Sequence, residues 1–202
     1  MKHDPLHLAT LIGSRICHDL VSPIGAIKNG LELLHLSAEK SNGPEICLIE
    51  ESTDNAIGRV NFFRIAFGMG SAQADLSPDK ARKILSPMFN GSRVYVSWCI
   101  ETSIKRIEAQ AIFLSIMCLE TSMPLGGEIH IGRQKDKALV KGSSPNFSYN
   151  TELWNSLLQP SHGHDIAPAQ VNFLLLPLIC QQMEKPINLD KSADNTAIHI
   201  TF

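Results

Sequence analysis

The first 70 residues most constrain what this chain can fold into. From Pro5 to Lys40 apolar residues recur at helical spacing, with Pro23 the only interruption. Ser41, Asn42, Gly43 and Pro44 then make a dense turn signal. A second helical pattern follows through Ile46, Ile49, Ala56, Ile57, Val60, Phe63 and Phe67. Gly43 suits the end of one helix and Pro44 the opening of the next. Two long helices joined by so short a turn must lie antiparallel. A hairpin alone cannot bury its apolar stripe, so a homodimer with a four-helix bundle is expected. Packing of the hairpin on the rest of its own chain is the rival.

The remainder alternates between helical and strand patterns. Ser77 and Pro78 read as an N-cap and first helical residue, and Asn90-Gly91 as that helix's end. Residues 93–98 (RVYVSW) alternate as a strand. A helix over 106–121 and a Pro124/Gly126-Gly127 turn precede strands at 128–133 and 138–141. A short helix at 152–158 and a longer one at 168–183 follow, the latter with a kink expected at Pro177. Strands at 187–189 and 197–201 flank a turn at 192–195. The chain therefore reads as α+β. Residues 1–74 would be a helical hairpin domain and 75–202 an α/β domain.

Composition narrows the function classes. Of 202 residues, 44% are hydrophobic and 19% charged, which indicates a globular chain. The net charge of −2 and the lack of a Lys/Arg block give no reason to expect nucleic acid or an anionic membrane as partner. No apolar run approaches the roughly 20 residues of a membrane span. Residues 1–5 do not resemble a signal peptide. Five cysteines, odd in number and without a CxxC pair, suggest free thiols in a reducing cytoplasm. His162 and His164 lack partners at metal-ligand spacing and read as solvated loop, so no metal site is expected.

The informative segment is Cys17-His18-Asp19-Leu20-Val21-Ser22-Pro23. At 100° per residue, Ile16, Leu20, Ile27 and Leu34 lie within roughly 20° of the face opposite His18, and Leu31 within about 40°. That is the expected buried stripe. Ser14, Ser22, Gly25 and Asn29 lie within about 40° of His18, and Arg15 at about 60°. His18 should therefore face outward among small and polar residues. Most exposed histidines do nothing. This one has a carboxylate beside it and, one turn later, a proline costing a helix about 3 kcal/mol. Asp19 could hold the ring proton or steer the tautomer, leaving the other nitrogen nucleophilic. The small neighbours would let a partner's backbone approach, and Arg15 could meet phosphate or carboxylates.

His18-Asp19-Leu20-Val21-Ser22-Pro23 resembles the H-box of sensor histidine kinases. With its continuation Ile24-Gly25-Ala26-Ile27-Lys28-Asn29-Gly30-Leu31-Glu32-Leu33-Leu34, it resembles the ChpT-like histidine phosphotransferases of alphaproteobacteria. The resemblance is strong over residues 14–35 and beyond 75 lies mostly in the order of elements. It implies a dimeric four-helix bundle followed by a degenerate kinase-like (Bergerat) ATPase α/β sandwich. It implies a cytoplasmic phosphorelay in which His18 carries a phosphoryl group between aspartates of receiver domains, one on a hybrid histidine kinase and others on response regulators. Asp19 would orient or deprotonate His18, and Ser14, Arg15, Ser22, Gly25 and Asn29 would line the docking face.

The second half departs from the kinase pattern. Cys118 stands where the kinase helix carries a Mg²⁺-binding Asn, and no Asp-x-Gly-x-Gly box follows Arg133. Gly142-Ser143-Ser144-Pro145 is a plain turn rather than a phosphate-cradling loop. Without these, phosphoryl transfer from ATP loses its main stabilisation, so no ATP use is expected and Mg²⁺ would sit on the receiver. The alternatives are an ATP-dependent kinase core, a receiver phosphatase with Ser22 as a degenerate water-positioning residue, and a non-catalytic dimeric adaptor.

Overall fold

The computed structural model describes residues 4–36, 43–68, 75–159, 166–194 and 196–202. Helix α1 spans Pro5–Leu36 and α2 spans Pro44–Ala66. Pro44 occupies the first turn of α2, where a missing N–H costs nothing. The pair forms the antiparallel hairpin that the pattern predicts. At Gly30 the helices come so close that a Cβ would lie 2.7 Å from Ile49 Cγ1. Pro23 is buried and α1 runs through it unbroken.

Helix α3 (Pro78–Phe89) starts at Ser77, whose hydroxyl accepts from the Lys80 N–H. It is followed by β1 (Val94–Trp98), α4 (Arg106–Thr121), β2 (Gly127–Gln134), β3 (Lys137–Ser143) and α5 (Thr151–Asn155). A 3-10 turn at Pro168–Gln170 leads into α6 (Val171–Gln182), then β4 (Asn188–Lys191) and β5 (Ala197–Thr201). The architecture is α+β. The strands form one sheet of order β1-β2-β3-β5-β4, in which only β1 and β2 pair in parallel. That pair needs the α4 crossover, whereas its neighbours are antiparallel. At the entry to β2, Gly126 takes φ +95°, a conformation that favours glycine.

Burial alternates along β1, β2 and β3. One sheet face therefore packs on helices and the other meets solvent. Helix α4, buried along nearly its whole length, is the centre of the core.

The hairpin is not a separate body. Phe62 of α2 is fully buried, with ring centroids 4.8 Å from Phe113 of α4 and 5.9 Å from Phe89 of α3. Arg106 donates to the carbonyls of Ile65 (2.8 Å), Arg64 and Gly68, and Gln110 donates to that of Ala66 (3.1 Å). These carbonyls at the end of α2 have no partner within the helix, so α4 caps it. Of the two packings anticipated for the hairpin, the one on its own chain is seen at its C-terminal end, and much of the remainder is left uncovered by the chain.

The α1 stripe divides accordingly. Pro23 and Gly30 are buried, Gly30 against Ile49 of α2, Ile16, Leu20, Ile27 and Leu34 are half-buried, and Leu31 is 45% exposed. The neighbouring helix covers only one side of an arc wider than a single helix contact. The His162/His164 loop lies outside the described residues, as do Ser41 and Asn42.

Candidate functional site

His18 stands on the outer side of α1, one turn before Pro23, with its side chain 86% exposed. The helix holds the ring clear of the core, as the angular count predicts. Its Nδ1 lies 3.1 Å from Asp19 Oδ1. A carboxylate can only accept, so this contact places the ring proton on Nδ1. In the neutral form of the ring, Nε2 is then the nitrogen with a free lone pair.

Asp19 is shaped by what lies beneath it. Its side chain is only 8% exposed. Arg15 Nε lies 2.9 Å from Asp19 Oδ2, an ion pair one helical turn apart. Arg59 of α2 places Nη1 3.9 Å from the same oxygen, and its Nε donates to Asn55 Oδ1 at 2.8 Å. One carboxylate oxygen thus faces two guanidinium groups and the other faces His18. Pro23 has no N–H for the Asp19 carbonyl, which loses its helical partner.

Glu120, at the end of α4, lies among the same charges. Burial pushes its carboxyl above the ordinary range, while Arg15 and Arg59 pull the other way, Asp19 raises it and Arg93 lowers it.

Ser14, Ser22 and Asn29 are exposed, and a Cβ on Gly25 would meet nothing within 4 Å. Ser14 and Ser22 flank His18 one turn to either side, and Gly25 and Asn29 continue the same face two and three turns further along α1. Arg15 stands differently. Its side chain is 16% exposed, and besides Asp19 it engages the carbonyl of Ala169, to which Nη1 donates at 3.1 Å. Its guanidinium turns inward rather than toward a visitor.

Arg59, Glu120 and Ala169 escape a reading of the sequence. Each is far from His18 along the chain, and a backbone carbonyl has no sequence signature. Arg59 had one available signal, a long cation within the apolar pattern of α2, four residues after Asn55.

Cys118 is fully buried, and burial raises its thiol well above the usual range. Beside it lies Asn172, also fully buried. With its amide oriented to satisfy both ends, Asn172 accepts from the Cys118 N–H and donates to the Ala169 carbonyl, each at 3.1 Å. Among the described residues, no three His, Cys, Asp or Glu side chains are grouped to hold a metal ion.

The family model of the histidine phosphotransferase C-terminal domain matches residues 78–195, more than half of the chain. This chain belongs to the histidine phosphotransferase family. Within it, the protein phosphotransferase ChpT of Brucella abortus (strain 2308) is 40% identical over 94 residues. Those residues are 46% of this chain and 44% of that protein, so the match spans less than half the length of the curated relative. A solved bacterial phosphotransferase has the same fold, with a TM-score of 0.80 at 24% identity, over 100% of this chain and 98% of that one. The matched family domain starts at α3, so the assignment of roles on α1 rests on geometry.

Proposed function

We propose that this protein is a phosphoryl carrier between receiver-domain aspartates, with His18 as the acceptor. The observation that carries this reading is the His18–Asp19 contact, 3.1 Å, under an imidazole that is otherwise open to a partner. Nε2 attacks the phosphorus of a receiver's aspartyl phosphate. The N–P bond forms as the bond to the aspartate oxygen breaks, and the aspartate leaves as a free carboxylate. Positive charge develops on the ring during attack, and the ionised Asp19 beside Nδ1 stabilises it. Reversal onto a second receiver discharges the histidine.

The partners in this reading are receiver domains of a hybrid kinase and of response regulators, docking over Ser14, Ser22, Gly25 and Asn29. The Mg²⁺ that such transfer uses belongs to the receiver. No ATP is used. In support, the position expected to anchor Mg²⁺ in a kinase is Cys118, a buried, protonated thiol that suits neither a hard cation nor an exposed site. Residues 1–74 act as the phosphotransfer and dimerisation part and 75–202 as its support.

The working unit is a homodimer. Most of the exposed large apolar side chains lie on the hairpin, including Val21, Ile24, Leu31, Ile57 and Val60. A second copy of the hairpin would bury them in a four-helix bundle. No helix among the described residues is long and apolar enough to cross a membrane, and the reading places the protein in the cytoplasm with its partners.

The test is to incubate the protein with a phosphorylated receiver domain and, separately, with labelled ATP. Acid-labile label should appear on the wild type from the receiver only, and not on His18→Ala. Label taken from ATP alone would falsify the relay and favour a kinase core.

A further inference from the structure

We propose that Arg15 and Arg59 are positioning residues that fix the Asp19 carboxylate and, through it, the tautomer of His18, and that Arg15 is itself anchored by the Ala169 carbonyl of the α/β part. The inference deepens the reading of His18 as phosphoacceptor and rests on it for its catalytic consequence. The geometric part stands separately.

An exposed carboxylate next to a histidine in sequence would rotate freely about two side-chain bonds and hold the ring only part of the time. Asp19 is not in that position. Its Oδ2 is held by Arg15 Nε at 2.9 Å and faced by Arg59 Nη1 at 3.9 Å, which leaves Oδ1 directed at His18 Nδ1. The arginines are themselves held. Arg59 Nε donates to Asn55 on its own helix, so its guanidinium approaches Asp19 with a fixed tilt. Arg15 meets two partners with one planar fork: Nη1 donates to the Ala169 carbonyl at 3.1 Å, while Nε pairs with Asp19 Oδ2 by charge alone, at 2.9 Å but without hydrogen-bond geometry. A rigid guanidinium can face both at once; a compact ammonium cannot.

The chain of contacts continues into the core. The Ala169 oxygen accepts from Arg15 and from the NH₂ of Asn172, using both of its lone pairs. Asn172 is fully buried and also tied to the α4 backbone at Cys118. A continuous path therefore runs from the centre of the α/β part, through Asn172, Ala169, Arg15 and Asp19, to the His18 ring. The α/β part thereby acquires a role that needs no nucleotide: it supplies the fixed end against which the phosphoacceptor is aligned. Arg15, placed by its helical angle on the docking side, is spent on this inward task.

The test uses the full-length protein with ¹⁵N-labelled histidine at a pH where imidazoles are neutral. The signals of His18, one of eight histidines, are assigned by their loss in His18→Ala. In the wild type the Nδ1-protonated tautomer should dominate. Arg15→Met and Arg59→Gln should each shift His18 toward a mixture of tautomers. In parallel, transfer from a phosphorylated receiver domain should slow on the order of tenfold, a part of what losing an oriented acid–base group costs. Arg15→Lys, which keeps charge but loses the fork, should be intermediate on both counts. If Arg15→Met proves too unstable to fold, Arg59→Gln decides alone. Folded variants with a wild-type tautomer pattern overturn the proposal, even if transfer slows, because the arginines would then act on docking. If the pattern shifts but wild-type His18 takes no phosphoryl group from a receiver, the positioning stands and the proposed function fails.

Discussion

Asp19 faces an imidazole on one side and two guanidinium groups on the other, and its substitution separates their demands. Asp19→Asn keeps the size but loses the charge that favours an Nδ1–H ring and answers Arg15 and Arg59. Phosphorylation of His18 from a receiver should fall about 10²-fold, the lower end of what an oriented acid–base partner contributes. Initial rates of acid-labile label check this. Glu120 gives a second residue-scale prediction, of stability against pH. Its carboxyl is raised above its ordinary 4.5, so in the folded state it holds a proton that the unfolded chain has lost. Stability must then fall as pH rises from about 4.5 through the raised value, and stay level above it. Glu120→Gln removes the cost of burying the charge. In urea unfolding the variant should be more stable than wild type at pH 8, and the gap should close toward pH 4. A gap independent of pH would mean that the carboxyl is not the group responsible. The His18–Asp19 pair was legible in the sequence because adjacent residues on a helix must be neighbours. The two arginines were not, since Arg15 was visible only as a surface cation, its Ala169 partner arrives from the 3-10 turn before α6, and Arg59 arrives from α2.

At the scale of elements, the helices and strands follow local patterns closely, because capping, prolines and alternation are local causes. Ser77-Pro78 starts α3 and Gly126-Gly127 delivers the chain into β2, as expected. Less legible was how a helix divides its apolar arc among several neighbours. Angles about α1 identify the arc that includes Leu31, but only the positions of α2 and the 3-10 turn decide which part is covered. Gly30 shows the difference. In the sequence it is only a glycine within a helical pattern, a mild cost. In the structure it is a contact point, with Ile49 Cγ1 2.7 Å from where a Cβ would stand. Gly30→Leu should therefore lose about 1–3 kcal/mol through overpacking, despite its better helix propensity. A urea midpoint equal to wild type would show that the hairpin opens at no cost there.

Over the whole molecule, one chain buries one end of its hairpin and leaves the other part apolar and open. The end of α2 is fixed by Phe62 between Phe89 and Phe113 and by the Arg106 cap. Away from that end, Ile24, Leu31 and Ile57 stay exposed in the single chain. A substitution at such positions distinguishes a bare surface from a covered one. If the chain works alone, Ile24→Glu and Leu31→Glu move charges into water, and stability changes by no more than about 0.5 kcal/mol. If a second hairpin covers them, each glutamate is buried at the seam and either titrates or breaks the pair. The homodimer predicts that the wild type sediments as twice the chain mass and unfolds at a temperature that rises with concentration. The double variant should sediment as a monomer and lose that dependence. Its Phe62-centred core should still unfold cooperatively, since none of that core lies on the substituted face. A wild type that sediments as a monomer, with a concentration-independent midpoint that the glutamates leave unchanged, would overturn the dimer.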